Sequence, residues 1–75
     1  MKLIDLRGVG CPTNFVKAKL ALEMADPGDI LRFYLDEGEP ERDVSRSLEA
    51  EGYRLLEFRK EDGFCILTVE KSSHN

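Results

Sequence analysis

Seventy-five residues make one domain, close to the lower limit at which an apolar core holds without disulfides or metals. Eleven Lys and Arg against fifteen Asp and Glu give a formal charge of −4, which excludes the basic surface needed for non-specific binding to nucleic acid or anionic membranes and suits a chain that meets other proteins. With no run near the ~20 apolar residues of a membrane span, no secretory signal and too few cysteines for a secreted disulfide scaffold, a cytoplasmic monomer with both thiols free is expected.

Residues 2–6 read as a short strand in which Leu3 and Ile4 are apolar. Asp5 is the exception, either facing solvent or serving backbone N–H groups in the loop that follows. That loop, Leu6-Arg7-Gly8-Val9-Gly10-Cys11-Pro12-Thr13-Asn14, joins the strand to a helix. Gly8 and Gly10 permit positive φ in a tight turn. Pro12 suits the first helical position, because its ring fixes φ and the N–H it lacks has no intrahelical partner there. Cys11 is then the N-cap. Its sulfur faces the N–H groups of Thr13 and Asn14 and the positive end of the helix dipole, which favour thiolate and lower a thiol pKa of about 8.5 by roughly one to several units. Arg7 adds to this if it turns toward the sulfur. Cys11 is thus the candidate nucleophile; the alternative is a small buried residue in a turn.

The first helix is predicted over 12–25 and stops at Asp26-Pro27-Gly28-Asp29. Phe15, Ala18, Leu22 and Ala25 share one face for the sheet, while Val16, Leu20 and Met24 form a second apolar stripe at i, i+4, i+8. That stripe either packs on the other helix, which is the reading preferred here, or is a docking surface one turn from Cys11. Lys17 and Lys19 are expected in solvent.

Residues 30–36 form the clearest strand, with Leu31, Phe33 and Leu35 on one face and Ile30, Arg32 and Tyr34 on the other, as in a sheet covered on one side. A second helix starts at Pro40, carries Val44 and Leu48 as core anchors, and ends near Ala50 or Glu51 with Gly52 after it. The acidic run Glu37, Glu39, Glu41 and Asp43 lies at that helix's N-terminus and is explained by the dipole rather than by metal. Residues 53–60 and 64–71 are two strands joined by an Asp62-Gly63 hairpin signal. Cys65 alternates there with Leu67 and Val69 and is read as a buried, unreactive thiol. Residues 1–71 are one domain, and 72–75 are a polar tail.

At the strand-to-helix loop the sequence resembles the small sulfur-carrier proteins of the TusA/SirA type, whose signature is a leucine-aspartate pair, a glycine, then Cys-Pro-x-Pro opening the first helix. Ile4-Asp5, Gly8, Cys11 and Pro12 match it, and Asp43-Val44 resembles the acidic-aliphatic pair on the family's second helix. Asn14 stands where the motif has its second proline. The element order alone gives an α/β (α+β) two-layer sandwich, βαβαββ, with a mixed four-stranded sheet and two helices on one face. The resemblance adds the strand order 1-2-4-3. It also implies a relay of sulfur from a cysteine desulfurase or rhodanese-like donor to an acceptor protein, toward tRNA thiolation, cofactor synthesis or sulfur oxidation.

The residues agree with that chemistry. No His neighbours Cys11, His74 lies in the tail, and there is no Cys-x-x-Cys pair, phosphate loop or cofactor box, so neither Cys-His acyl transfer nor a metal or cofactor is expected. An activated thiolate unaided can take sulfane sulfur, hold it as a persulfide and pass it on. Two other readings stay open: a non-catalytic interaction or regulatory module, favoured by Asn14, and a thiol redox sensor, which lacks a nearby resolving cysteine.

Overall fold

The computed structural model describes residues 2–10 and 12–71. Strand β1 (Lys2–Asp5) leads through the loop to α1 (Thr13–Met24), then β2 (Ile30–Asp36), α2 (Glu39–Ala50), β3 (Arg54–Lys60) and β4 (Phe64–Glu70). The sheet order is β1-β2-β4-β3, with β1 parallel to β2 and the other pairs antiparallel. This is the expected mixed sheet, with both helices on one face.

Strict alternation sets the layers. Leu31, Phe33 and Leu35 of β2 are buried while their neighbours are half-buried, and Leu67 and Val69 of β4 continue the same face. Ala18 and Leu22 of α1 and Val44 and Leu48 of α2 close the core over it. Fully burying a Val or Leu side chain is worth about 1.5–3 kcal/mol; α2, with only those two anchors, is held by few such contacts. Gly52, at φ 95°, takes the left-handed turn that stops α2.

The second stripe of α1 does not pack on α2. Val16, Leu20 and Met24 are 47, 52 and 83% exposed. At 100° per residue Leu20 lies about 200° from both Ala18 and Leu22, on the side turned away from the sheet. A two-layer fold has no third layer to cover that side. The helices meet through a different flank of α1, where the Lys19 ammonium pairs with Glu51 at 3.2 Å, so Lys19 is not simply solvated.

Two local departures from the expected pattern shape the sheet's ends. The register shifts between Leu55 and Glu57, where consecutive leucines break the alternation and leave Leu56 as the extra residue of a bulge. Strand β4 ends at Glu70, and Lys71 turns away to close α1. Its N–H donates to the Asp29 carbonyl, its carbonyl accepts from the Gly28 N–H, both at 2.8 Å, and its ammonium donates to the Glu23 carbonyl at 3.1 Å. No basic residue lies in the last turn of α1, so the buried Lys71 supplies the cation that the helix C-terminus favours. Lys71→Met should lower stability by about 1–2 kcal/mol in chemical denaturation, the scale of one charge-assisted hydrogen bond partly open to water. An unchanged midpoint would remove this role.

Candidate functional site

The loop between β1 and α1 is held by two carboxylates from the ends of adjacent parallel strands. Leu6 is buried, and its N–H donates to the Tyr34 carbonyl at 2.8 Å, extending the strand pairing by one residue. Asp5 Oδ1 accepts from the Arg7 backbone N–H at 3.0 Å, and the same carboxylate takes Nε and Nη2 of Arg7 at 2.9 and 2.8 Å. Of the two roles open to Asp5, the loop-serving one is therefore realised. The hydrogen bonds from the Arg7 side chain and then its backbone hold the Asp5 carboxyl down at about 2. Asp36, at the end of β2, accepts from the Gly8 N–H at 2.8 Å. Nothing in the sequence around Asp36 singles it out; only the parallel pairing of β1 with β2 brings it beneath the loop.

Arg7 is committed elsewhere than toward a helix terminus. Besides Asp5, its guanidinium lies 5.1 Å from the Tyr34 ring centroid and 4.8 Å from that of Phe64. Those rings are themselves 5.2 Å apart. The cluster clasps the start of the loop onto the helix-free face of the sheet. Of the two glycines, Gly8 takes the left-handed conformation at φ 81°. Gly10 does not, and its part is to accept the Asn14 N–H at 3.0 Å.

Helix α1 begins one residue later than expected. Pro12, at φ −91° and ψ 6°, is the N-cap rather than the first helical residue, and its carbonyl accepts the Val16 N–H at 3.0 Å. Cys11, expected as the cap, lies outside the described residues, as do Met1 and the tail 72–75. Thr13 is exposed at the first helical position. Among the described residues no acidic side chain lies in the first turn and the Pro12 cap makes no side-chain hydrogen bond, so the positive end of the dipole carries no countercharge from the helix itself.

Asn14 differs most from its expected part. Its backbone N–H, expected to serve the sulfur, is taken by Gly10. Its side chain is fully buried at the head of the Asn14-Ala18-Leu22 core stripe. There Oδ1 accepts the Phe15 N–H at 2.7 Å, while Nδ2 is buried with no hydrogen-bond partner among the described residues. The Asn14 N–H is therefore not the donor to the sulfur that the sequence suggested.

Cys65 is fully buried, and its thiol donates to Glu41 Oε2 on the first turn of α2. Burial, then the Glu41 carboxylate, push the thiol up to about 12. Among the described residues there is no group of three or more His, Cys, Asp or Glu side chains that could hold a metal. Nor is any helix among them long and apolar enough to cross a membrane.

The family model described as Sulfurtransferase TusA matches residues 2–71. A protein of Archaeoglobus fulgidus named for sulfur carriage is 42% identical over 72 residues, covering 93% of this chain and 82% of its own length. One from Neisseria meningitidis, similarly named, is 30% identical over 67 residues, covering 89% and 90%. Among solved structures, a SirA-like protein of Desulfitobacterium hafniense superposes with a TM-score of 0.80 at 27% identity, covering 97% of this chain and 100% of that one. A Helicobacter pylori protein solved in solution superposes at 0.74 with 18% identity, over 97% and 100%, and shares the fold.

Proposed function

Because this chain belongs to the TusA sulfurtransferase family, we propose that it is a sulfur carrier whose Cys11 relays sulfane sulfur as a persulfide from a donor protein to an acceptor protein. The observation that supports the reading is the first turn of α1, where a loop fixed by Asp5 and Asp36 runs into a helix N-terminus without an acidic countercharge, and Cys11 immediately precedes the Pro12 cap in sequence. A helix start of that kind favours an anion beside it, thiolate or persulfide alike.

The step balances without an oxidant. The Cys11 thiolate attacks the outer sulfur of a donor persulfide; the new S–S bond forms on Cys11, the donor's S–S bond breaks, and the donor leaves as a thiolate. The outer sulfur keeps its proton or exchanges it with solvent. The acceptor then repeats the displacement. Arg7, Gly8, Gly10, Pro12, Thr13 and Asn14 act by shaping the turn, with Thr13 and the dipole facing the anion. A cysteine desulfurase or a rhodanese-like protein is the donor, and the reducing cytoplasm, which keeps thiols free, is the compartment.

Incubation with a desulfurase, cysteine and pyridoxal phosphate should add one sulfur to Cys11, read by mass spectrometry and removed by reductant. No adduct would overturn the relay and leave a non-catalytic module.

The exposed stripe of Val16, Leu20 and Met24 starts one turn from Cys11 and supplies the docking surface for donor or acceptor. Leu20→Glu and Met24→Glu should leave the melting temperature unchanged, since exposed substitutions fall within about 0.5 kcal/mol, and should slow sulfur exchange with the partner. A lost melting transition, or exchange at the wild-type rate, would remove the stripe from the docking surface.

A further inference from the structure

Among the described residues the sheet has one long edge without a strand neighbour. Strand β3 pairs with β4 on one side only, and along its free side Leu56 and Phe58 are 43 and 48% exposed. Between β3 and α2 runs a groove of about 440 Å³, its lining including Leu55, Phe58 and Leu67 with Arg42, Arg46 and Glu49. Edge strands are commonly blunted by charge or by a bulge. Here the bulge falls between Leu55 and Glu57 and leaves residues 57–60 in regular register.

We propose that, in place of the monomer expected above, this edge is a dimer seam, with β3 pairing antiparallel to β3 of a second copy about a two-fold axis through Phe58. The occupant follows from the charges. A two-fold perpendicular to the sheet keeps both helical layers on one side, and it pairs each residue with one of the same face, so the axis passes through a residue. Centred on Glu57, it sets Glu57 against Glu57 and, with the bulged Leu56 passed over, Arg54 against Arg59. Centred on Arg59, it sets Arg59 against itself and Glu57 against Glu61. Centred on Phe58, it sets Glu57 against Arg59 twice, Leu55 with the bulged Leu56 against Lys60, and the two phenylalanines against each other. Only this last register among the three is free of like-charge pairs.

The faces agree. Phe58 lies across from buried Leu67 on the helix-bearing face, so the paired rings meet at the mouths of the two grooves. Glu57 and Arg59 lie across from Thr68 and Ile66 on the other face, where the ion pairs form. Arg59 already touches Glu61 at 3.1 Å, an exposed pair of small worth that does not hold it back. Strand β1, which feeds the Cys11 loop, is the opposite edge of the sheet, so the seam leaves both loops free. The inference rests on the sheet edge and is independent of the sulfur relay.

Sedimentation equilibrium of the full chain in reducing buffer, from low-micromolar to millimolar concentration, should show the mass rising from one chain to two. Glu57→Arg and Arg59→Glu should each weaken the dimer about tenfold, the loss of two cross-strand ion pairs. The combined exchange should restore it, and Phe58→Ser should weaken it again. All three positions are exposed, and melting curves confirm that each variant folds. A mass of one chain throughout, a dimer indifferent to the single reversals, or a combined variant no tighter than either single one would overturn the seam.

Discussion

Cys11→Ser is expected to lose all reductant-labile sulfur loading and to melt with the wild type, whereas Cys65→Ala should load normally. The contrast follows from thiolate population. A thiol at the ordinary value of about 8.5 is about 3% ionised at pH 7 before any help from a helix terminus. With its pKa near 12, Cys65 is ionised to about one part in 10⁵. The ratio exceeds a thousandfold, and Cys65 is moreover fully buried with its S–H donated in a hydrogen bond to Glu41. Iodoacetamide should therefore label Cys11 far faster than Cys65 in the folded protein. Loading that survives in Cys11→Ser, or that fails only in Cys65→Ala, would reverse the assignment.

Much of this architecture was legible in the residues. Apolar alternation at Leu31, Phe33 and Leu35, the stop at Gly52 and the Asp62-Gly63 turn are local signals, and local geometry answered them. The strand order needed the family resemblance, because periodicity assigns faces but not neighbours. At the site, the loop's glycines and proline were visible, but its long-range tether was not. Asp36 is twenty-eight residues from Gly8 and looks like any strand-terminal carboxylate until β1 is laid beside β2. Two apolar stripes on α1 suggested two packing partners. The count of layers, which no single helix records, leaves the second stripe in solvent. Lys71 was likewise read as the end of a strand; its role depends on where the C-terminus of α1 falls in space.

The alkaline limb of the stability profile should be steep, and Cys65 should be its main cause. The thiol is raised from 9.0 to about 12, first by burial and then by the Glu41 carboxylate that accepts its proton. Below pH 9 it is protonated in both the folded and the unfolded chain and costs nothing. Between 9 and 12 the unfolded chain ionises and the folded one does not, so each unit of pH favours unfolding by about 1.4 kcal/mol. The loss reaches on the order of 4 kcal/mol by pH 12, against a total of about 4–11 kcal/mol for a chain of this length. Tyr53, raised by burial, adds in the same direction. Cys65→Ser separates the two, since its hydroxyl still donates to Glu41 but does not ionise in this range. Urea midpoints measured from pH 7 to pH 11 should fall steeply for the wild type and much less for the serine variant, with the two curves meeting near neutrality. Parallel curves across that range would show that the buried thiol is not what the folded state protects from ionisation.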